Sequence, residues 1–305
     1  MSPRRKPKHP LATGISTVVA FGAVFTLIYI TFFPAQALTL TDKWGVTPYI
    51  PALSDRTAPP TPAATTPPAT TPSTPTSTGT IALDEARVQE ARDVLTSLDV
   101  QERPYIPGYE RGCSPDELCV FGPAWTDDND GPGGHNGCDT RNDLLQATMS
   151  NPQFKDGGHC VVLSGTYVEP YFGTTEDFVR GEPTATQDEV DHVYPLALGW
   201  DMGMSTRDIE ERKAFANDLE VNLAITTRAA NGSGYDTNDD GNYDLDLGEH
   251  PPKSDMTAGE WLPWLTNPAA ACNYAARYAL TANRYDLPIT PLDKTEITKA
   301  FEGCS

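Results

Sequence analysis

The chain is poor in positive charge. Its 305 residues carry 22 lysines and arginines against 42 aspartates and glutamates, a formal net charge of −20. Non-specific grip on nucleic acid runs on Lys/Arg contacts to phosphate and on counterion release, so this balance excludes a high-affinity nucleic-acid coat protein. It leaves room for an enzyme that binds nucleic acid transiently and supplies positive charge locally. The sequence also lacks any Cys-x-x-Cys pair, which argues against a zinc ribbon. No internal repeat is evident. Residues 58–80 lack almost everything except Pro, Thr, Ala and Ser. Such a stretch cannot bury enough apolar surface to offset the entropy of ordering it.

The N-terminus is basic through Lys8-His9, and an uncharged run follows from Leu11 to Phe33. That run suits a membrane span of about 20 apolar residues. The small residues of Ala35-Gln36-Ala37 also suit a signal cleavage site. Residues 1–37 are therefore read as a signal peptide or a membrane anchor, and both readings export the rest of the chain. The expected location is extracellular, secreted or held to the cell membrane by residues 11–33. Residues 38–80 are expected to form a Pro/Thr-rich disordered stalk, and residues 81–305 one folded domain. All six cysteines lie in that domain, which fits disulfides in an oxidising compartment. The expected pairs are Cys113–Cys119, Cys138–Cys160 and Cys272–Cys304, the last stapling two C-terminal helices.

Apolar residues at helical spacing predict a helix over 82–98. Short strands are expected near Cys119–Phe121, Cys160–Leu163 and Val190–Leu196. Asn267-Pro268 and Thr290-Pro291 each pair an N-cap residue with Pro at the first helical position, predicting helices from there toward Asn283 and Gly303. The class is mixed α+β, with the chemistry on strand ends and loops.

The chemistry centres on Val190-Asp191-His192-Val193-Tyr194-Pro195-Leu196. Successive strand side chains point to opposite faces, so Asp191 and His192 are expected to serve different sides. A second apolar strand contains Asn222, and Asn231 follows where Thr226-Thr227 offers a helix cap. Strand, long loop, strand, helix is the order of a ββα finger. The pieces Asp191–Leu196, Arg212 with Phe215–Asp218, Asn222-Leu223, Ala230-Asn231 and Trp261–Pro263 resemble the GmrSD-type HNH nuclease family, C-terminal nuclease domain, in its exported actinobacterial form. Upstream, Gly108-Tyr109-x-Arg111, Ala124-Trp125, Gly137–Leu145 and Ser164–Gly173 are similar to further landmarks of that family, as are Cys272-x-Tyr274 and Cys304.

The resemblance implies an HNH (ββα-metal) finger within a small disulfide-stapled domain, and a metal-dependent endonuclease acting on DNA rather than RNA, with no obligate protein partner. It implies His192 as general base, since an imidazole suits proton transfer near neutral pH. Asp191 and Asn231 would hold one divalent cation, Mg²⁺ by preference and Mn²⁺ as the other candidate. Asn222 would fasten the loop between the strands and keep His192 aimed. Asp139, Arg141 and Lys253 are candidate substrate contacts. His135, His159 and His250 read as solvated turn residues.

Residues 232–252 interrupt the family pattern with an acidic insert. Asp236, Asn238, Asp240 and Asp244 fall at positions 1, 3, 5 and 9 of an EF-hand calcium loop, with Gly241 at position 6. Leu247 stands where the loop expects Glu, so Asp246 or Glu249 would have to substitute. The alternative to a nuclease is a catalytically inactive, calcium-binding cell-surface module.

Overall fold

The computed structural model describes residues 78–304, except Ala82, residues 115–116 and residues 182–186. The expected leader and nearly all of the stalk lie outside the described residues. The last stalk positions do not behave as a linker. Gly79 donates its amide to the Val168 carbonyl (2.6 Å) and accepts the Ile225 amide (2.7 Å), and Thr80 is buried. A side chain at Gly79 would run into the Ile225 carbonyl. The fold therefore already includes Thr78, a few residues before the expected start at 81.

The architecture is mixed, with helices, two small antiparallel sheets and three disulfides. Helix α1 (Glu85–Leu95) opens on Asp84, whose side chain accepts the Arg87 amide, and it buries Ala91 and Leu95. Helix α2 (Thr140–Thr148) is capped by Asp139. Strands β1 (Ser150–Phe154), β2 (Val162–Val168) and β3 (Thr175–Val179) form an antiparallel meander in that order. Strand β4 (Asp188–His192) pairs antiparallel with β5 (Leu223–Thr227), setting Asp191 opposite Ala224 and His192 opposite Leu223. The loop between β4 and β5 folds into α3 (Leu196–Asp201), a 3₁₀ turn at Met204–Thr206, and α4 (Ile209–Ala216). After β5 comes a single π-helical turn, Ala229–Ser233, in place of the expected α-helix. The segment at Cys119–Phe121 is a turn rather than a strand, because Cys119 takes a positive φ of 52° to close its disulfide with Cys113.

The C-terminal helices start where local chemistry predicts. Asn267 caps α6 (Pro268–Arg284) by accepting the Ala269 and Ala270 amides, and Thr290 with Asp293 forms a capping box on α7 (Pro291–Glu302). The Cys272–Cys304 disulfide joins the two helices. Helix α6 is the spine of the larger core. It buries Tyr274, Ala275, Ala276, Tyr278 and Ala279 against Trp261, Tyr194 and Phe215. A second cluster of Leu144, Leu145, Tyr167, Phe178, Val190, Leu223 and Ile225 lies under α2 and the three-stranded sheet. The β4–β5 pair contributes to both clusters, so both of its faces are covered, and its even and odd residues meet different surroundings.

Asp293 links three elements. Its carboxylate accepts the Gly259 amide of α5 (Ala258–Trp261) at 2.7 Å, the Tyr278 hydroxyl of α6 at 3.1 Å and the Thr290 amide at 2.8 Å. Removing it leaves three buried donors without an acceptor. Asp293→Ala is expected to destabilise the domain by about 2–4 kcal/mol, read from the urea midpoint by circular dichroism. An unchanged midpoint would show that these donors find other partners.

Candidate active site

His192 ends β4 and is 6 % exposed. Its Nε2 lies 2.9 Å from the Ala216 carbonyl. A carbonyl can only accept, so Nε2 carries the proton and Nδ1 keeps its lone pair. The ring stacks on Trp125 with planes 12° apart. Burial pushes the imidazole down to about 3, and the positive charge of Arg111 adds to that effect. Burial therefore keeps the ring neutral, and it also makes the ring a weaker base than an ordinary imidazole. It lines a cavity of about 30 Å³ with Arg111, Trp125 and Asn217.

Asp191 points to the other face of the sheet, as the strand period requires. Its carboxylate lies 2.7 Å from Lys253 Nζ and accepts the Tyr171 hydroxyl, and it is 2 % exposed. Lys253 is wholly buried. Its ammonium also donates to the carbonyls of His192 (2.5 Å) and Val193 (3.2 Å), and it sits over the Tyr274 ring at 5.6 Å. Burial pushes Asp191 up and Lys253 down, and their mutual attraction opposes both shifts. Lys253 reaches no solvent, so it presents no cation to a substrate. Its role in this fold is to neutralise Asp191.

Asn222 is fully buried and holds the turn after His192. Its Oδ1 accepts the Tyr194 amide (2.8 Å), its Nδ2 donates to the Phe215 carbonyl (2.9 Å), and its backbone carbonyl accepts the Val193 amide (2.8 Å). Asn231 lies in the π turn. Its Nδ2 donates to Glu189 at 3.0 Å, while its Oδ1 is buried without a partner among the described residues. Asp191 and Asn231 are thus engaged by different neighbours. As a cation site the pair does not fit this arrangement, because the Asp191 carboxylate already faces an ammonium in a site closed to solvent. Only the Asn231 Oδ1 is a free oxygen. Cys138, His159 and Cys160 also converge, but both sulfurs belong to one disulfide and are not thiolates.

Of the candidate substrate contacts, Lys253 touches only the backbone of His192, and Asp139 and Arg141 do not line its cavity. Asp139 is occupied with the α2 N-terminus, accepting from Asn142 through both its amide (3.0 Å) and its side chain (2.5 Å). Arg141 lies over the Phe178 ring at 5.8 Å and feels the charges of Arg180, Asp139 and Asp188. The residues that do share the His192 cavity are Arg111, Trp125 and Asn217. Each belongs to a short motif visible in the sequence, but nothing in the chain order places Arg111 or Trp125 beside a histidine 67 or more positions later. His250 is buried too, stacked on Phe172 at 4.3 Å, because it closes the base of the insert by pairing with Tyr235 rather than standing in a solvated turn.

In the insert, Asp236 accepts the amides of Asp239 (2.9 Å) and Gly241 (2.8 Å), and Asp240 accepts that of Asn242 (2.8 Å). Glu249 is buried and folds back onto the loop, accepting the amides of Thr237 and Asp244, both at 2.9 Å. Asp246 caps nothing; its amide donates to Asp244 at 2.9 Å. A second acidic stretch, Asp127–Gly131, is held by Asp127, which accepts the amides of Asn136 and Gly137.

Removing Lys253 leaves a buried carboxylate without its counter-charge. Lys253→Met is expected to destabilise the domain by about 3–5 kcal/mol, and adding Asp191→Asn should recover part of that loss. Urea unfolding of the single and double variants measures both. A single variant as stable as the parent would mean that the pair is not structural.

Residues 139–263 match the family model of GmrSD restriction endonucleases, C-terminal domain. The matched stretch contains Asp191, His192, Asn222 and Asn231 and begins after Arg111 and Trp125. The chain is also similar to an "Uncharacterized secreted protein" of Arthroderma benhamiae, 26% identical over 215 residues that cover 70% of this chain and 84% of that protein. That relative is fungal and does not bear on the actinobacterial form that the motifs resemble. No solved structure matches the chain.

Proposed function

We propose that this protein is an exported endonuclease that hydrolyses the phosphodiester bonds of nucleic acid, DNA in preference to RNA, with His192 as general base. One observation carries the reading. A neutral, buried histidine has its Nε2–H anchored on the Ala216 carbonyl and its other nitrogen free, and it lines a small cavity beside an arginine, inside a stretch that matches a restriction-endonuclease model. The free Nδ1 takes a proton from water as the water oxygen attacks phosphorus. The P–O bond to the departing sugar oxygen breaks, and solvent protonates that oxygen. Arg111 supplies local positive charge for the non-bridging oxygens on a chain whose net charge is −20. Export is supported by the three disulfides and by a relative described as secreted.

The test is digestion of supercoiled plasmid by residues 78–305 with Mg²⁺, Mn²⁺ or Ca²⁺ present in turn. Cleavage is expected, falling roughly 10²–10⁴-fold in His192→Ala. Absence of cleavage under every condition would sink the nuclease reading. Cleavage that survives the substitution would show that another group is the base.

We also propose a separate calcium site in the insert. Asp236, Asn238, Asp240 and Asp244 occupy one short loop, and the buried Glu249 closes over it. Isothermal titration should show calcium binding in the range of about 10⁻⁴–10⁻³ M, as in extracellular modules, and Asp240→Ala should weaken it. Absence of binding heat at millimolar calcium would refute the site and leave the loop as an acidic surface excursion.

A further inference from the structure

A residue that lines the cavity beside His192 carries a second buried acceptor. Helix α4 ends at Ala216, whose carbonyl fixes the His192 tautomer, and Asn217 follows as its C-cap. The Asn217 Nδ2 donates to the Lys213 carbonyl at 2.9 Å. That contact fixes the amide orientation, because an oxygen turned toward Lys213 would meet another oxygen. The Asn217 Oδ1 is consequently not the atom that meets the helix carbonyl. It is buried and finds no partner among the described residues, and the residue as a whole is 2 % exposed. Asn217 lines the same cavity as His192 and Arg111. The volume of about 30 Å³ admits one or two waters, since a single water needs roughly 10–15 Å³.

We propose that Asn217 is a catalytic residue, holding the attacking water jointly with His192. This inference rests on the nuclease reading above. The water donates one O–H to His192 Nδ1 and the other to Asn217 Oδ1, which leaves its lone pairs for phosphorus. When the oxygen–phosphorus bond forms, the proton on the His192 side moves to Nδ1. The proton on the Asn217 side stays with the new phosphate oxygen, and the bond to the leaving sugar oxygen breaks. Arg111, exposed beside the cavity, holds the phosphodiester in line. A two-residue segment, Ala216-Asn217, thereby sets both the tautomer of the base and the direction of its water.

Steady-state cleavage of bis(p-nitrophenyl) phosphate and of plasmid DNA by the same protein separates the roles. Asn217→Ala is expected to lower kcat by roughly 10–100-fold with KM little changed, the signature of an interaction made in the transition state. Arg111→Ala should act mainly on KM. A kcat for Asn217→Ala within about threefold of the parent, or a loss confined to KM, would overturn the proposal while leaving the His192 assignment intact. A crystal structure of the parent at high resolution gives a second reading that does not depend on turnover or on a variant's folding. It should place a water within about 2.7–3.2 Å of both His192 Nδ1 and Asn217 Oδ1. A dry cavity, or a side chain filling the position, would overturn the proposal even if plasmid is cleaved. Loss of cleavage by the parent itself would instead count against the nuclease reading.

Discussion

The buried ion pair between Lys253 and Asp191 organises the structure. A lysine ammonium with no solvent contact must have its charge and its hydrogen bonds satisfied from within. Here it has the Asp191 carboxylate and the carbonyls of His192 and Val193. Those carbonyls belong to the end of β4 and the residue after it, so the ammonium fixes the backbone that presents His192. The Lys253 amide is bound to the Ala230 carbonyl and the Ser254 amide to that of Asn231. The same residue therefore joins the π turn after β5 to β4 and closes the neck of the acidic insert. A loop of some twenty residues can be tolerated there because its two ends are pinned together, and lengthening a closed loop adds little further entropy cost.

The two faces of one short strand do different work for this reason. The period of two sends Asp191 toward Tyr171, Tyr274 and Lys253, inside the larger core, while His192 meets Trp125 and the end of α4. On the proposed reading the first face holds the strand and the second acts on water. Asn222 joins them, since its side chain grips both the chain after His192 and the last turn of α4. Positive charge is scarce over the chain, and of the two cations near His192 one is already neutralised by Asp191. Lys253 lies under the site, and Arg111 stands beside its cavity.

Much of the fold is legible in local chemistry. Asn267-Pro268 and Thr290-Pro291 mark helix starts because a side-chain oxygen satisfies free amides there and proline lacks the amide that would go unused. The alternation of faces at Asp191 and His192 follows from strand geometry alone. The three disulfide pairs are those expected, and the span from 139 to 263 matches the family that the motifs resemble. Other readings failed where distant contacts outweighed local preference. The helix expected after β5 is one π turn, because the insert leaves the chain at Gly232. His250, polar and flanked by turn formers, is buried because Phe172, Tyr235 and Trp261 close around it.

By itself, then, the sequence determined the helix starts, the two-sided strand and the identity of its histidine, since each depends on residues within a few positions of one another. Only the tertiary structure decided which groups surround that histidine. Arg111, Trp125 and Asn217 reach it from a loop, a turn and a helix end, and Lys253 passes under it from beyond the insert. Those meetings are set by packing two cores against the opposite faces of one strand pair, and chain order carries no record of which side chains such packing will bring together.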